Sequence, residues 1–322
     1  MKAIQYASLG GPEVLELVDL PVPEPVDAQV RVAVRAAGVN PADWKMRAGF
    51  IPGGPLPRRA GFEVAGVVDA VGPQAHWKVG DEVLGWGAGG YADYAVGENL
   101  VAKPEELSFA EAAAVPVAAA TAARGLHELD LQAGETLLVH GASGAVGAMA
   151  VQFARRLGAT VIGTASAANQ QVVTGLGALA TTYGAGLADR VRALQRTGGP
   201  EAAAERNHVG SRELRHRIQP PDGVDAVLDC AGHDFLDTAI ELRGGTDRIV
   251  TFVDPAAASK GVAFSAGGPP DLDAVERAAD LLAVGTFHLP APPRTYPLAD
   301  AARAQIDSET GRALGKIVLL TS

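Results

Sequence analysis

Residues 136–147 read TLLVHGASGAVG. An apolar run of strand length stops at a glycine-rich turn. The residues that follow, AVGAMAVQFARRLG, place Val146, Ala150, Phe153 and Leu157 on one face at helical spacing. ATVIGTA (159–165) then reads as a second strand. Ala142, Gly144 and Gly147 match G-x-G-x-x-G with alanine in the first place, and Ser143, Ala145 and Val146 complete the turn. In such a turn Gly144 lets the backbone approach a pyrophosphate, and Gly147 lets the helix lie close to the sheet. The helix N-terminus adds free N–H donors and a partial positive charge. A glycine turn with no ligand is the competing reading. The strand before it and the amphipathic helix after it favour a dinucleotide site.

Working outward, GVDAVLDCAG (223–232) and DRIVTFVD (247–254) are further strands with helix-like segments between them. Strand and helix in alternation predict a doubly wound parallel sheet. The first third of the chain reads differently. QVRVAVRAAGV (29–39) alternates, with Val30, Val32 and Val34 on one face and Arg31 and Arg35 on the other. FEVAGVVDAVG (62–72) is a β-rich run, and GDEVLGWGAGGYADYAV (80–96) reads as two short strands around a glycine turn. Short strands separated by Gly and Pro predict a compact β-barrel-like domain. GKIVLL (315–320) reads as a strand returning to that domain. Boundaries are expected at 1–116 with 286–322 for the β domain, and 117–285 for the α/β domain. Within the latter, GGPEAAAERNHVGSRELRHRIQPPDG (198–223) breaks the rhythm. It reads as a polar insertion over about 198–220, a solvated loop with one short helix near 211–218, basic at Arg212, Arg215, His216 and Arg217. His208 and His216 without a third ligand make a poor metal site.

Bulk composition narrows the function. The chain has 322 residues, 48% apolar and 20% charged, enough for two domains. A net charge of -10 disfavours nucleic acid, which needs a basic face. The single cysteine, Cys230, excludes an internal disulfide framework and a multi-cysteine zinc site. MKAIQYASLGG lacks the apolar core of a signal peptide, and Glu111, Pro116 and Arg124 interrupt the most membrane-like stretch, 109–126. No membrane association and a cytoplasmic location are therefore expected.

The end of the second strand separates the two nicotinamide coenzymes. An NAD site places Asp or Glu there to hold the ribose hydroxyls. GTASAANQQ (163–171) holds no acid, and Thr164 and Ser166 offer hydroxyls to a 2′-phosphate. NADPH is favoured, with no Lys or Arg in that loop to strengthen the preference.

Together with GVNPADWKMRAG (38–49), GFEVAGVV (61–68), VGDEVLG (79–85), GGYADYAV (89–96), ATAARGL (120–126) and GRALGKIVLL (311–320), these blocks make the chain resemble the medium-chain dehydrogenase/reductase superfamily. The likeness is to its zinc-independent quinone oxidoreductase branch and covers nearly the whole length. It implies an α/β architecture: a GroES-like β-barrel catalytic domain, closed by a C-terminal return, plus a Rossmann domain. It also implies a homodimer, with KGVAFSAGG (260–268) where the family often has its dimer-forming strand. The 198–220 insertion departs from the pattern. By the same resemblance Asn40 donates to substrate or nicotinamide ribose, Asp43 orients its neighbours, and Lys45 contacts a ribose or supplies charge or a proton to an enolate. Thr121 faces the nicotinamide and Tyr183 lies near the adenosine phosphate. Cys230, Ala231, Gly232, Phe252 and Val253 border the coenzyme at strand ends, and Lys316 is the basic residue of the terminal block. Turn chemistry for Asn40, a solvated helix face for Lys45 and a solvated lysine at 316 are the plain alternatives.

Zinc members of that superfamily carry a cysteine in the first block and a histidine before the glutamate of G-H-E. Here Asn40 lies in the first block and Phe62 precedes Glu63, so catalytic zinc is not expected. Glu63 is expected to pair with a basic neighbour of its own domain. Without a Lewis acid, alcohol oxidation is disfavoured, whereas a quinone or an α,β-unsaturated carbonyl accepts hydride with less assistance. Quinone reduction is the first reading. Reduction of an enoyl or enone group, as in secondary metabolism, is the alternative, and a coenzyme-binding sensor without turnover the remote one.

Overall fold

The computed structural model describes residues 1–197, 223–311 and 313–321. The insertion expected at 198–220, with His208 and His216, lies outside the described residues. The chain divides into two compact units, Met1–Ala120 with Pro270–Ser322, and Thr121–Pro269. Residues 117–120 and 270–285 thus belong to the first unit.

In the first unit β1 (Lys2–Tyr6), β2 (Glu16–Asp19) and β4 (Arg58–Arg59) form a small sheet in the order β2-β1-β4. The larger sheet contains β3 (Val30–Val39), β5 (Glu63–Val71), β6 (Glu82–Trp86), β7 (Tyr94–Gly97), β8 (Leu100–Ala102), β15 (Arg294–Pro297) and β16 (Ile317–Leu320). Its order is β15-β16-β3-β5-β6-β8, with β7 also on β3. Val30, Val32 and Val34 are buried while Arg35 is exposed, as the alternation requires. The strands on either side of the 87–90 glycines do not pair with each other, since β6 lies on β5 and β7 on β3. The C-terminal strand does return, pairing antiparallel with Ile317 opposite Val39 and Leu319 opposite Ala37. Helix α1 (Pro41–Arg47) leaves the end of β3 directly, with proline at its first position, where the missing N–H costs nothing. Helices α2 (Phe109–Ala112) and α3 (Pro116–Glu128) follow β8 along the chain, α2 opened by a Ser108–Glu111 capping box.

The second unit is built on β9 (Thr136–His140), β10 (Thr160–Ala165), β11 (Leu179–Thr182), β12 (Ala226–Asp229), β13 (Ile249–Thr251) and β14 (Ala263–Phe264). All neighbours are parallel, in the order β11-β10-β9-β12-β13-β14. This is the Rossmann order, with its switch point between β9 and β12, and ligands of such sheets lie outside the strand C-termini there. Leu137, Leu138 and Val139 are wholly buried, as expected of a central strand covered on both faces. Helix α4 (Ala145–Arg156) follows β9. Its buried face is not the expected stripe. Leu157 is 46% exposed, and Gly147, Ala148, Val151 and Ala154 face inward with Ala150. Small residues let the helix axis approach the sheet more closely than Phe153 and Leu157 would allow. β14, in the segment with the family's dimer-strand position, forms the edge of the sheet and is exposed.

Candidate functional site

In the second unit the β9–α4 turn is shaped by two glycines. Gly141 takes φ +82°, and a Cβ there would lie 2.9 Å from that of Ala231. The left-handed turn residue is therefore Gly141. Ala142, expected to open the phosphate pattern, is wholly buried; it packs toward Gly163, whose Cβ would lie 2.8 Å from it. Gly147 is held against the turn, since a Cβ there would lie 2.2 Å from the Gly141 carbonyl oxygen. At Gly144, the N-cap of α4, a Cβ would lie 3.4 Å from the Gly141 carbonyl oxygen, an ordinary contact, and the Gly144 N–H donates to that oxygen at 3.1 Å. Ser143, Gly144, Ala145 and Val146 are partly exposed at the helix N-terminus, where the first N–H groups lack intrahelical acceptors. This turn fits a phosphate: small residues leave its backbone accessible, and the first N–H groups of α4 have no intrahelical acceptor.

Thr164 is a correction. Its side chain is wholly buried, and its hydroxyl accepts the Gly141 N–H at 3.1 Å and meets His140 Nδ1 at 2.8 Å. It serves the turn and is not available to a 2′-phosphate. Ser166, which precedes a short turn at Ala167–Asn169, remains partly exposed. Tyr183 is 56% exposed, with its ring edge toward His140.

Asp229 ends β12 wholly buried. Its Oδ1 accepts the N–H groups of Ala231 and Gly232 at 3.0 and 2.8 Å, and its Oδ2 accepts the Thr251 hydroxyl at 2.8 Å. Thr251 in turn accepts the N–H groups of Val253 and Asp254, both at 3.1 Å. One carboxylate thus fixes both loops that carry the strand-end candidates Cys230 to Gly232, Phe252 and Val253. Burial and the Asp229 charge push the Cys230 thiol well above its ordinary range, so it stays protonated. Phe252 lies under the Arg124 guanidinium at 5.6 Å, and Thr121 is partly exposed at the start of the unit.

In the first unit Asn40, Asp43 and Lys316 meet around Glu63, which is wholly buried on β5. Glu63 Oε2 accepts Lys316 Nζ at 2.6 Å and Asn40 Nδ2 at 2.9 Å, and Oε1 accepts the Val117 N–H at 2.7 Å. Lys316 Nζ also donates to Asn40 Oδ1 at 2.6 Å. Glu63 therefore does pair with a basic neighbour of its own domain. Lys316 is neither solvated nor free for a coenzyme; only 6% of it is exposed, and its charge is spent on this cluster. Asn40 bridges the pair and keeps one amide N–H beyond these bonds.

Asp43 caps α1, its Oδ2 accepting the Asn40 N–H at 2.7 Å and the Tyr91 hydroxyl at 3.0 Å. Burial raises its carboxyl to about 7, against those two hydrogen bonds and the Lys316 charge, which favour the anion. Tyr91 is wholly buried; desolvation and the neighbouring Asp43 hold its hydroxyl protonated. Burial draws the Lys45 ammonium below its ordinary range; it lies 5.6 Å from the Trp44 ring, with no ion pair among the described residues. Trp44 meets Phe50 edge-on at 6.3 Å, and Phe50 is 76% exposed.

Sequence reasoning missed His140, Tyr91, Asp229 and Arg47. Arg47 is 1% exposed; its Nε donates to Gln305 Oε1 at 2.7 Å, and it pairs with Glu309. Two of the four had a visible signal: in TLLVH and AVLD a polar residue closes an otherwise apolar buried strand, and such a residue needs a partner. The other two gave none, because their partners are distant in sequence.

Residues 26–105 match the alcohol dehydrogenase GroES-like domain, and residues 145–253 and 207–319 match zinc-binding dehydrogenase models. The chain is 44% identical to human quinone oxidoreductase over 181 residues, 54% of the chain and 55% of that protein. It therefore spans about half the length of that relative in the matched region. Over 99% of the chain it is 32% identical to quinone oxidoreductase of Lama guanicoe, covering 97% of that protein. Among solved structures, Escherichia coli quinone oxidoreductase complexed with NADPH superimposes with a TM-score of 0.78 at 25% identity, covering 99% of this chain and 100% of that one.

Proposed function

The chain belongs to the medium-chain dehydrogenase/reductase family, quinone oxidoreductase-like, and from that premise we propose that it is an NADPH-dependent reductase that delivers hydride to a quinone without zinc. The observation that carries this reading is the β9–α4 turn, where the partly exposed N-terminus of α4 follows Gly144 and Gly147 admits the Gly141 carbonyl. Ala145 and Val146, at the start of α4, would hold the pyrophosphate through backbone N–H groups, while the Gly144 N–H stays on the Gly141 carbonyl at 3.1 Å. The absence of an acid over 163–171, with Ser166 partly exposed, supports a 2′-phosphate over a free ribose hydroxyl. The E. coli relative's NADPH complex supports the same choice. When bound, the reduced nicotinamide supplies the hydride.

The donor set around Glu63 supports chemistry without zinc. A catalytic zinc takes about three protein ligands, whereas Glu63 already holds the Lys316 ammonium at 2.6 Å and an asparagine amide at 2.9 Å. A second cation there would meet a like charge. The chain's contribution is then to bind, orient and exclude water. The half-buried Lys45 ammonium, with no carboxylate to neutralise it among the described residues, offers positive charge to an oxygen on which charge develops. That feature also favours a second reading, enone reduction, where an enolate needs a proton as well as charge.

The test is an acceptor screen with NADPH and NADH in parallel, following loss of reduced-nicotinamide absorbance. Turnover of a 1,4-quinone with NADPH preferred, insensitive to chelator, is the expected result. Turnover of enones alone, abolished in Lys45→Ala, would replace the first reading with the second. A lack of affinity for both coenzymes would overturn both, as would turnover that depends on bound zinc. We further propose a homodimer built on the exposed edge strand β14, tested by sedimentation of the wild type beside Phe264→Glu.

A further inference from the structure

His140 closes β9 and is 4% exposed. It belongs to none of the groups assigned to the coenzyme above, yet it touches both loops that flank the switch point. Its Nδ1 lies 2.8 Å from the Thr164 hydroxyl, whose oxygen also accepts the Gly141 N–H at 3.1 Å. The backbone of Gly232, in the loop after β12, bears on the same ring and favours its charged form. The His140 carbonyl accepts the Cys230 N–H at 3.0 Å, and the imidazole stacks on Phe235 with centroids 4.0 Å apart at 10°. The loop it meets is unusual: Gly232, His233 and Asp234 all have φ between 54° and 74°. Two of these residues carry a Cβ, so the conformation persists only where its surroundings hold it. Asp229 holds that loop through the Gly232 N–H, and His140 holds its two flanks through the Cys230 N–H and the Phe235 ring.

We propose that His140 is a positioning residue that braces the glycine turn against the β12 loop, and that it does so only as the neutral ring with the proton on Nε2. This rests on the coenzyme reading above. The hydrogen-bond inventory gives the reason. In the neutral form the Thr164 hydroxyl donates to Nδ1 while its oxygen accepts from Gly141, so both roles of the hydroxyl are filled. A proton added at Nδ1 forces the hydroxyl to accept twice, and its own hydrogen then lacks a partner in a place where water does not reach. The turn must shift to relieve this, and the backbone donors offered to the pyrophosphate shift with it.

The groups that bear on the ring's charge act in opposite directions. Burial holds the imidazole below its ordinary range, and His233 acts in the same sense. The Asp229 carboxylate and the Gly232 hydrogen bond act against them. The Tyr183 ring presents its edge at 6.3 Å, and the Cys230 thiol is neutral.

The experiment is calorimetric titration of the full chain with NADP+ at about pH 7.5 and about pH 4.5, the lower value chosen because burial holds the ring below its ordinary range. It compares wild type, His140→Asn, Thr164→Val and Thr164→Ser. Asparagine keeps an acceptor toward Thr164 but cannot take up a proton. Its profile therefore carries every titration of the system except that of His140. At the higher pH, His140→Asn and Thr164→Val are expected to bind about threefold to tenfold more weakly, the worth of one hydrogen bond. On acidification the wild type and Thr164→Ser should lose at least about threefold more affinity than His140→Asn and Thr164→Val. A merely structural role for His140 would lower the melting temperature and leave the four pH profiles parallel, which would overturn the proposal. If the wild type binds NADP+ at neither pH, the coenzyme reading falls and the brace with it. If it binds and the profiles are parallel, the brace alone falls. Should His140→Asn not fold, the contrast between Thr164→Val and Thr164→Ser decides the question in the same way.

Discussion

Replacing Lys316 with methionine tests the buried cluster around Glu63. The lysine stem is kept in shape and only the ammonium is lost. Glu63 is wholly buried, and without Lys316 its Oε2 keeps only the Asn40 amide at 2.9 Å. Removing one partner of a buried pair leaves an uncompensated charge and costs about 3–5 kcal/mol. An exposed pair would cost about 0–1 kcal/mol. For a unit of this size each kcal/mol shifts the melting temperature by about 2–4 °C, so Lys316→Met should melt about 6–20 °C below wild type. The double variant Glu63→Gln, Lys316→Met removes both charges. The Asn40 amide is then free to turn its oxygen toward the NH2 group of the introduced glutamine, and at least half of the lost stability should return. Urea unfolding followed by far-ultraviolet circular dichroism measures all four corners of the cycle. A loss below about 1 kcal/mol for the single variant, or additive losses in the double one, would refute the claim that the buried ammonium and carboxylate depend on each other.

Further outcomes follow from individual groups. Asp43 is protonated in the fold up to about pH 7, whereas an unfolded aspartate ionises near 3.8. The folded state therefore holds the extra proton, and stability should fall by about 1.4 kcal/mol per pH unit as pH rises between those values; Asp43→Asn should flatten that slope in pH-dependent urea unfolding. Gly147→Val should abolish measurable coenzyme binding, because its Cβ would lie 2.2 Å from the Gly141 carbonyl oxygen, and should destabilise the second unit by about 1–3 kcal/mol. Coenzyme fluorescence and a thermal melt together separate the two effects. Asp229→Asn should cost about 1–3 kcal/mol, because an amide presents a donor to at least one of three donors that now meet the carboxylate; protease sensitivity of the 231–234 and 252–254 loops should rise with it.

The sequence by itself determined what depends on local pattern. Period-2 alternation in β3, the buried runs of β9 and β12, the glycine turn and the strand character of the last segment are properties of neighbours along the chain, where backbone geometry sets which side chains share a face. It also determined the absence of an acid at the end of β10, on which the coenzyme preference rests. Tertiary structure alone decided which groups those patterns serve. α4 buries Met149 and Gln152 along with Gly147, Ala148, Ala150, Val151 and Ala154 and leaves Leu157 exposed, a face that its contacts in the fold set rather than the apolar spacing. Thr164 turned inward because Gly141 and His140, 23 and 24 residues away, required an oxygen there. Lys316 and Asn40 are separated by 276 residues and meet at 2.6 Å. A hydrogen bond or ion pair acts over about 3 Å, and no periodicity in the chain encodes which distant groups folding will bring within that range.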